Sequence, residues 1–219
     1  MLTEYIIDKQ KAGEMLLELE NGLQAWPCLS GEDGNRKKIT IHALSECTGW
    51  DKSAARRLLG RFPEFSKFPS TPGDVLKLAV TLGGILDTRI DGVRANDVYI
   101  FSRNVELSFF IPRSRFDVNW NECFDIWIGA NNLSVKLMAF FPLFILLHPF
   151  FDYNSRIGRM ILIILGIGCG IGFCRMKKIS ILYSSKYKDE FTDAMNVFRL
   201  SGDAGCYMQF LSRRLFAKL

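Results

Sequence analysis

Two apolar runs dominate the pattern along the chain, residues 137–147 (LMAFFPLFILL) and 160–174 (MILIILGIGCGIGFC), with a polar stretch from His148 to Arg159 between them. Each run is shorter than the ~20 residues a bilayer span needs, and glycines and a proline interrupt them. They read as buried core helices, not as a membrane hairpin. Upstream, Ile6, Ile7, Ala12, Met15, Leu16, Leu19 and Leu23 recur at helical spacing over residues 4–26, stopping at Trp26-Pro27. A loop rich in Gly, Asp, Asn and Lys follows at 31–38, and residues 39–62 read as helix, glycine-containing turn, helix. The Phe- and Pro-rich stretch 62–73 reads as a linker or wrapping loop, and a helical pattern resumes over 73–88. Residues 97–111 alternate, with β-branched and aromatic side chains either side of Ser102-Arg103-Asn104, which predicts a hairpin. Asp117 or Asn119 is placed to cap a helix running through Trp127. A long apolar helix follows from about Ser134 to Leu147, then a loop, then a helix from about Ser155 to Leu165. Gly166, Gly168, Gly170 and Gly172 end or loosen that helix, and two amphipathic helices close the chain at 185–200 and 203–217. The expected fold is mainly α with one small β-hairpin.

Composition narrows the class. A chain of 219 residues, 48% hydrophobic, holds one large domain or one domain with a small appendage, and it has ample material for a core. The net charge of +5 is mild and its basic pairs are scattered, so charge alone argues little for nucleic acid; a nucleotide phosphate is as consistent a partner. Residues 39–62 do have the outline of a helix-turn-helix, with Ser53–Arg61 as a would-be recognition helix. Two short helices joined by a glycine turn are equally ordinary in any helical domain, so DNA is not the expected partner. Six cysteines without a CxxC pair or a histidine at ligand spacing fit a reduced cytosolic interior better than disulfides or zinc. The N-terminus lacks the basic start and apolar run of a secretory signal.

The polar stretch HPFFDYNSRIGR concentrates the chemistry. A base, a carboxylate, an amide and two guanidinium groups between apolar helices would be costly to bury without partners, and an anionic ligand is the simplest partner. His148 can accept a proton at neutral pH, though a hydrogen-bonded histidine at a helix end is the plain alternative. Asp152 can hold Mg²⁺ between phosphate oxygens, or serve as a helix cap or an ion pair with Arg156. Asn154 and the N–H groups of residues 153–156 sit where a helix begins, a ready site for phosphate. Arg156 and Arg159, spaced i, i+3, share one face of that first turn and suit a polyphosphate; ion pairs with nearby acids are the alternative.

These twelve residues resemble the signature of the Fic (Fic/Doc) family, H-P-F-x-[D/E]-G-N-G-R-x-x-R. His148, Pro149, Phe150, Asp152, Asn154, Arg156 and Arg159 agree with it, and Tyr153 and Ser155 stand where the family carries glycine. The likeness extends over roughly residues 85–216: the 97–111 hairpin sits where the family places its flap, and Phe110, Pro112, Trp127, Phe191, Gly202, Asp203 and Phe210–Leu211 resemble flanking features. It implies a Fic-type helical bundle with a hairpin flap, residues 73–219 as the catalytic domain and 1–72 as an N-terminal helical region. It further implies a protein adenylyltransferase moving AMP from ATP to a Ser, Thr or Tyr hydroxyl of a target protein. By that resemblance His148 is the general base and Asp152 holds Mg²⁺. Tyr153, Asn154, Ser155, Arg156 and Arg159 bind the nucleotide phosphates. Phe150 anchors the loop, and Val98, Tyr99, Ile100 and Phe101 in the flap register the target as an added strand. The donor is AMP first, another nucleotide or phosphate-containing group second, and a degenerate site third. Only Glu106, four residues after Ser102, approaches the family's inhibitory-helix pattern, and it lies in the flap followed by Leu107. The resemblance therefore implies an unrestrained enzyme or one held by a separate antitoxin-like partner. A cytoplasmic, bacterial protein is expected, acting in its own cell or delivered into a host. The runner-up readings are a DNA-binding regulator and a partner-binding protein with a degenerate Fic site.

Overall fold

The computed structural model describes residues 3–4, 7–23, 39–65, 67–100 and 109–216. Over these the chain is mainly helical, with elements in the order β1 (Thr3–Glu4), α1 (Lys9–Leu23), α2 (Ile41–Thr48), α3 (Lys52–Arg61), α4 (Pro72–Leu86), β2 (Val98–Ile100), β3 (Phe109–Ile111), α5 (Phe116–Gly129), α6 (Leu133–Leu147), α7 (Asn154–Gly168), α8 (Phe173–Leu182), α9 (Lys188–Ser201) and α10 (Gly205–Leu211). Among the described residues no helix is long and apolar enough to cross a membrane.

Local chemistry accounts for most boundaries. Thr40 caps α2 by accepting the Ala43 N–H, Gly49 ends it in the left-handed region (φ 75°), and Asp51 caps α3 through the Ala54 N–H. Thr71 and Asp74 form a reciprocal capping box at the start of α4, with Pro72 at its first position. Asn132 caps α6 by accepting the Ser134 and Val135 N–H groups. The cap expected for α5 at Asp117 or Asn119 is not used. That helix starts at Phe116 straight from a 3₁₀ turn at Arg113–Arg115, Asp117 pairs with Arg113 at 2.9 Å, and Asn119 is buried.

Helices α6 and α7 form the central pair, and their apolar runs lie almost wholly in the core. Gly158 lets them approach closely: a Cβ there would sit 3.0 Å from a Phe144 ring carbon and 3.2 Å from the Phe141 ring. Helix α5 lines the other side of α6 with a ladder of rings, Trp120 on Phe124 at 4.4 Å and Phe140 on Phe144 at 5.7 Å. The buried indoles are satisfied, Trp120 Nε1 by the Pro72 carbonyl at 3.0 Å and Trp127 Nε1 by the Lys136 carbonyl at 2.7 Å. Of the 62–73 stretch, Phe62–Phe65 form a 3₁₀ turn and residues 67–71 lead to α4, with Phe68 stacking on Trp127 at 5.4 Å.

Residues on both sides of position 72 contribute to the core. One continuous core joins Leu16 and Leu19 of α1, Leu44 of α2 and Leu58 of α3 to the rings of α5 and α6. Helix α1 packs on α5 and α6, and α2 packs on α7 and α8.

The predicted hairpin is present at its base. Val98, Tyr99 and Ile100 pair antiparallel with Ile111, Phe110 and Phe109, while Phe101, the Ser102–Asn104 turn and Glu106 fall outside the described residues. Thr3 and Glu4 pair parallel with Phe109 and Phe110, giving strand order β1-β3-β2 and leaving β2 at an edge. The first helix accordingly starts at Lys9, later than the pattern alone suggested.

Candidate functional site

The loop between α6 and α7 is bounded by two residues in the left-handed region, His148 (φ 51°) and Tyr153 (φ 65°), the two non-glycine residues with positive φ among those described. His148 ends α6, its N–H donating to the Phe144 carbonyl at 3.1 Å. Tyr153 precedes α7, which has no side-chain cap, so the N–H groups of its first turn meet no capping oxygen.

His148 is mostly enclosed, its Nδ1 3.4 Å from the Ile145 carbonyl. Burial pushes its pKa down to about 4; the charges of Arg199 and Arg94 act in the same direction, against the Ile145 carbonyl and Asp152. The imidazole is therefore neutral at pH 7.

Asn154 is buried and closes the loop on itself. Its Oδ1 accepts the Phe150 N–H at 3.0 Å, and its Nδ2 donates to the Phe150 carbonyl at 2.7 Å. Both ends of the amide are thus spent on one residue. Phe150 lies in the core, 3% exposed, its ring 6.5 Å from that of Phe144. Asp152 is exposed and accepts the Tyr153 N–H at 2.6 Å; it neither caps α7 nor pairs with Arg156. The Arg156 guanidinium lies instead 5.1 Å from the Tyr153 ring centroid, a cation–π contact at the mouth of the loop. Asp87 accepts from Arg89, whose hydrogen bonds hold its carboxyl below the usual range.

Arg159 requires a correction. The i, i+3 spacing suggested that Arg156 and Arg159 would face a ligand together, but Arg156 is exposed and Arg159 is 7% exposed. Arg159 Nη1 donates to Ser155 Oγ at 2.6 Å and to the Tyr183 carbonyl at 2.7 Å, and Nη2 donates to the Thr48 carbonyl at 2.6 Å. It ties the C-terminal ends of α2 and α8 to α7, and burial pushes its pKa down to about 10. Trp50 adds to this joint, Nε1 donating to the Arg156 carbonyl at 3.2 Å. Residues 41–61 therefore brace the motif helix. Arg57 of the would-be recognition helix is likewise committed, donating to the Ile85 carbonyl at 2.7 Å.

Two functional candidates were missed. Arg94, 2% exposed, donates from Nε to the His148 carbonyl and from its N–H to the Pro149 carbonyl, both at 2.8 Å, and so fixes the start of the loop. Arg199 of α9 packs 4.8 Å from the Phe109 ring centroid, and its charge is felt at His148. Neither carries a sequence signal, since one lies in an aperiodic connection and the other resembles a basic residue in the last turn of a surface helix.

Among the described residues no three His, Cys, Asp or Glu converge to hold a metal. Asp152 alone fits a Mg²⁺ that arrives between phosphate oxygens, which needs one carboxylate from the protein. Cys47, Cys123, Cys169, Cys174 and Cys206 are free thiols, and burial raises those of Cys47 and Cys123 to about 11 and about 12, so neither is a reactive thiolate. In the hairpin, Val98 is buried and Tyr99 is 51% exposed on the edge strand. No family model, curated protein or solved structure matches this chain.

A left-handed tyrosine predicts an inverted substitution series. Tyr153→Ala keeps the backbone strain of about 1 kcal/mol and loses the ring contacts, whereas Tyr153→Gly loses the contacts but relieves the strain. Chemical denaturation is expected to find the glycine variant the more stable by about 1 kcal/mol. The usual order, alanine above glycine, would show that residue 153 is not held at positive φ.

Proposed function

We propose that the chain is a nucleotidyltransferase of Fic type, moving AMP from ATP to a hydroxyl of a target protein. The observation that carries this reading is the backbone of Tyr153: it has the positive φ that glycine favours, at the position where the signature has glycine, directly before an uncapped helix. A tyrosine bears that strain only where the surrounding fold imposes the conformation.

In this reading the polyphosphate meets the first-turn N–H groups of α7 and the exposed guanidinium of Arg156. With Nδ1 of His148 turned to the Ile145 carbonyl, Nε2 is the nitrogen that takes the proton of the target hydroxyl. That oxygen attacks the α-phosphorus, and the bond to the leaving pyrophosphate breaks. Asp152 would hold Mg²⁺, which supplies neutralisation of phosphate charge. The negative nucleotide opposes the fields of Arg94 and Arg199 and so raises the basicity of His148 once bound. Asn154 and Arg159 keep the loop and helix in shape and touch no substrate. The open edge of β2 would take the target chain as an added strand.

The enclosure of Arg159 favours a second reading, a protein that binds a nucleotide or partner at this loop without transfer. Thermal unfolding with and without ATP and Mg²⁺ is the first test. Saturating nucleotide is expected to raise the midpoint by a few degrees, the shift that mass action gives for roughly 2–3 kcal/mol. Arg156→Ala should shrink that shift without lowering the midpoint of the free protein. No shift with any nucleoside triphosphate would remove the transferase reading and leave only partner binding.

A further inference from the structure

One guanidinium joins the loop that carries His148 to the strand at the open edge of the sheet. Arg94 donates from Nε to the His148 carbonyl at 2.8 Å and from Nη1 to the Asn96 carbonyl at 2.7 Å, while its backbone N–H donates to the Pro149 carbonyl at 2.8 Å. Asn96 lies two residues before β2. The next residue, Asp97, is itself fixed, its Oδ1 accepting the Arg113 N–H at 2.7 Å just past the end of β3. The base of the hairpin and the end of α6 are thereby tied through a single side chain, 2% exposed, with the Phe116 ring 5.6 Å from it. His148 needs such a tie. Its φ of 51° costs a non-glycine residue about 1 kcal/mol, and the conformation persists only where the surroundings impose it. The last turn of α6 holds the His148 N–H, through the Phe144 carbonyl, and Arg94 holds its carbonyl.

We propose that Arg94 is a positioning residue for transfer: it sets the direction of the His148 imidazole and its register against the open edge of β2, so that a target strand paired on that edge brings its hydroxyl to Nε2. This rests on the transferase reading, and it assigns Arg94 no contact with nucleotide or target. The role calls for a planar fork, because two carbonyls from different parts of the fold are reached by nitrogens held at a fixed spacing. A lysine at this position keeps the charge and reaches one carbonyl at a time. Charge and geometry are therefore separable by substitution.

The test compares wild type, Arg94→Lys and Arg94→Gln in the full chain. Transfer is read as labelled protein after incubation with labelled ATP, Mg²⁺ and lysate, and nucleotide binding as the thermal shift with ATP and Mg²⁺. Both variants are expected to keep the shift and to lose about 10–100-fold in transfer, the loss that a misplaced base gives. The second readout needs no target. The chain has 2 histidines, so spectra of ¹⁵N-labelled histidine resolve His148. Wild type should show one tautomer with the proton on Nδ1, towards the Ile145 carbonyl, and Arg94→Lys a mixture of both tautomers. If neither variant folds, solvent exchange at the wild-type Arg94 Nε–H should still be at least about tenfold slower than at exposed Arg156. Full transfer by Arg94→Lys, a lost ATP shift, an unchanged tautomer, or equal exchange at the two arginines would each overturn the assignment. A wild type that transfers nothing while the tautomers differ would instead remove the transferase reading and leave Arg94 as the support of His148.

Discussion

Arg159→Ala is expected to destabilise the protein by about 3–5 kcal/mol in chemical denaturation. The guanidinium makes three hydrogen bonds from a site 7% exposed, two of them to the carbonyls of Thr48 and Tyr183. Truncation leaves both carbonyls unpaired and opens a cavity at the junction of α2, α7 and α8, and each such loss costs about 1–3 kcal/mol. Arg159→Lys keeps the charge but not the fork that reaches two helix ends, so it should recover only part of the loss. A phosphate ligand would behave differently: its removal would leave the free protein's stability unchanged and weaken only nucleotide binding. Arg156→Ala should show that second pattern, so the two arginines of one motif separate by experiment.

His148→Ala is expected to lower transfer at saturating nucleotide by about 10²–10⁴-fold, the usual contribution of a positioned general base. The side chain also predicts a stability signature. Its folded pKa of about 4 lies below the ordinary value of 6.5, so the unfolded chain binds the proton more readily. The resulting stability is fully present above about pH 6.5 and is lost as pH falls towards 4, by about 3 kcal/mol at most. Unfolding free energies of wild type and His148→Gln, measured from pH 4 to 7, should therefore diverge: the variant should lack this part of the acid loss. Parallel curves would mean that the imidazole titrates normally and is not enclosed as described. For the same reason, the acid limb of any activity measured on free enzyme should lie well below pH 6.5.

Much of the architecture was legible in the chain because short-range chemistry sets it. Thr40, Gly49 and Asp51 mark the ends of α2 and α3 by their own hydrogen bonds and backbone preferences, and the apolar runs could only be the buried pair α6 and α7. Helix α8 was missed because the glycines from 166 to 172 read as an open end. In the structure only Gly170, at φ 82°, takes the left-handed turn that breaks α7 from α8. The helical pattern runs back to Glu4, where the structure has a strand, because that strand's partner, Phe109–Phe110, is over a hundred residues away.

The site was legible only in its membership. Spacing put Arg156 and Arg159 on adjacent parts of one turn, but it could not say that Thr48, 111 residues upstream, and Tyr183, 24 residues downstream, would claim the second guanidinium. Likewise an asparagine at a helix start suggests a ligand contact, and only the folded loop reveals that Phe150 takes both ends of its amide. The positive φ at Tyr153 is the converse case. Tyrosine gives no hint of it.

The most direct test of the transfer proposal is intact-mass spectrometry of the protein and candidate targets after incubation with Mg²⁺ and, separately, each nucleoside triphosphate. An added adenylyl group is expected on a protein in the ATP reaction with wild type, and none with His148→Ala. Unchanged masses with every nucleotide, or the same addition in wild type and His148→Ala, would contradict it.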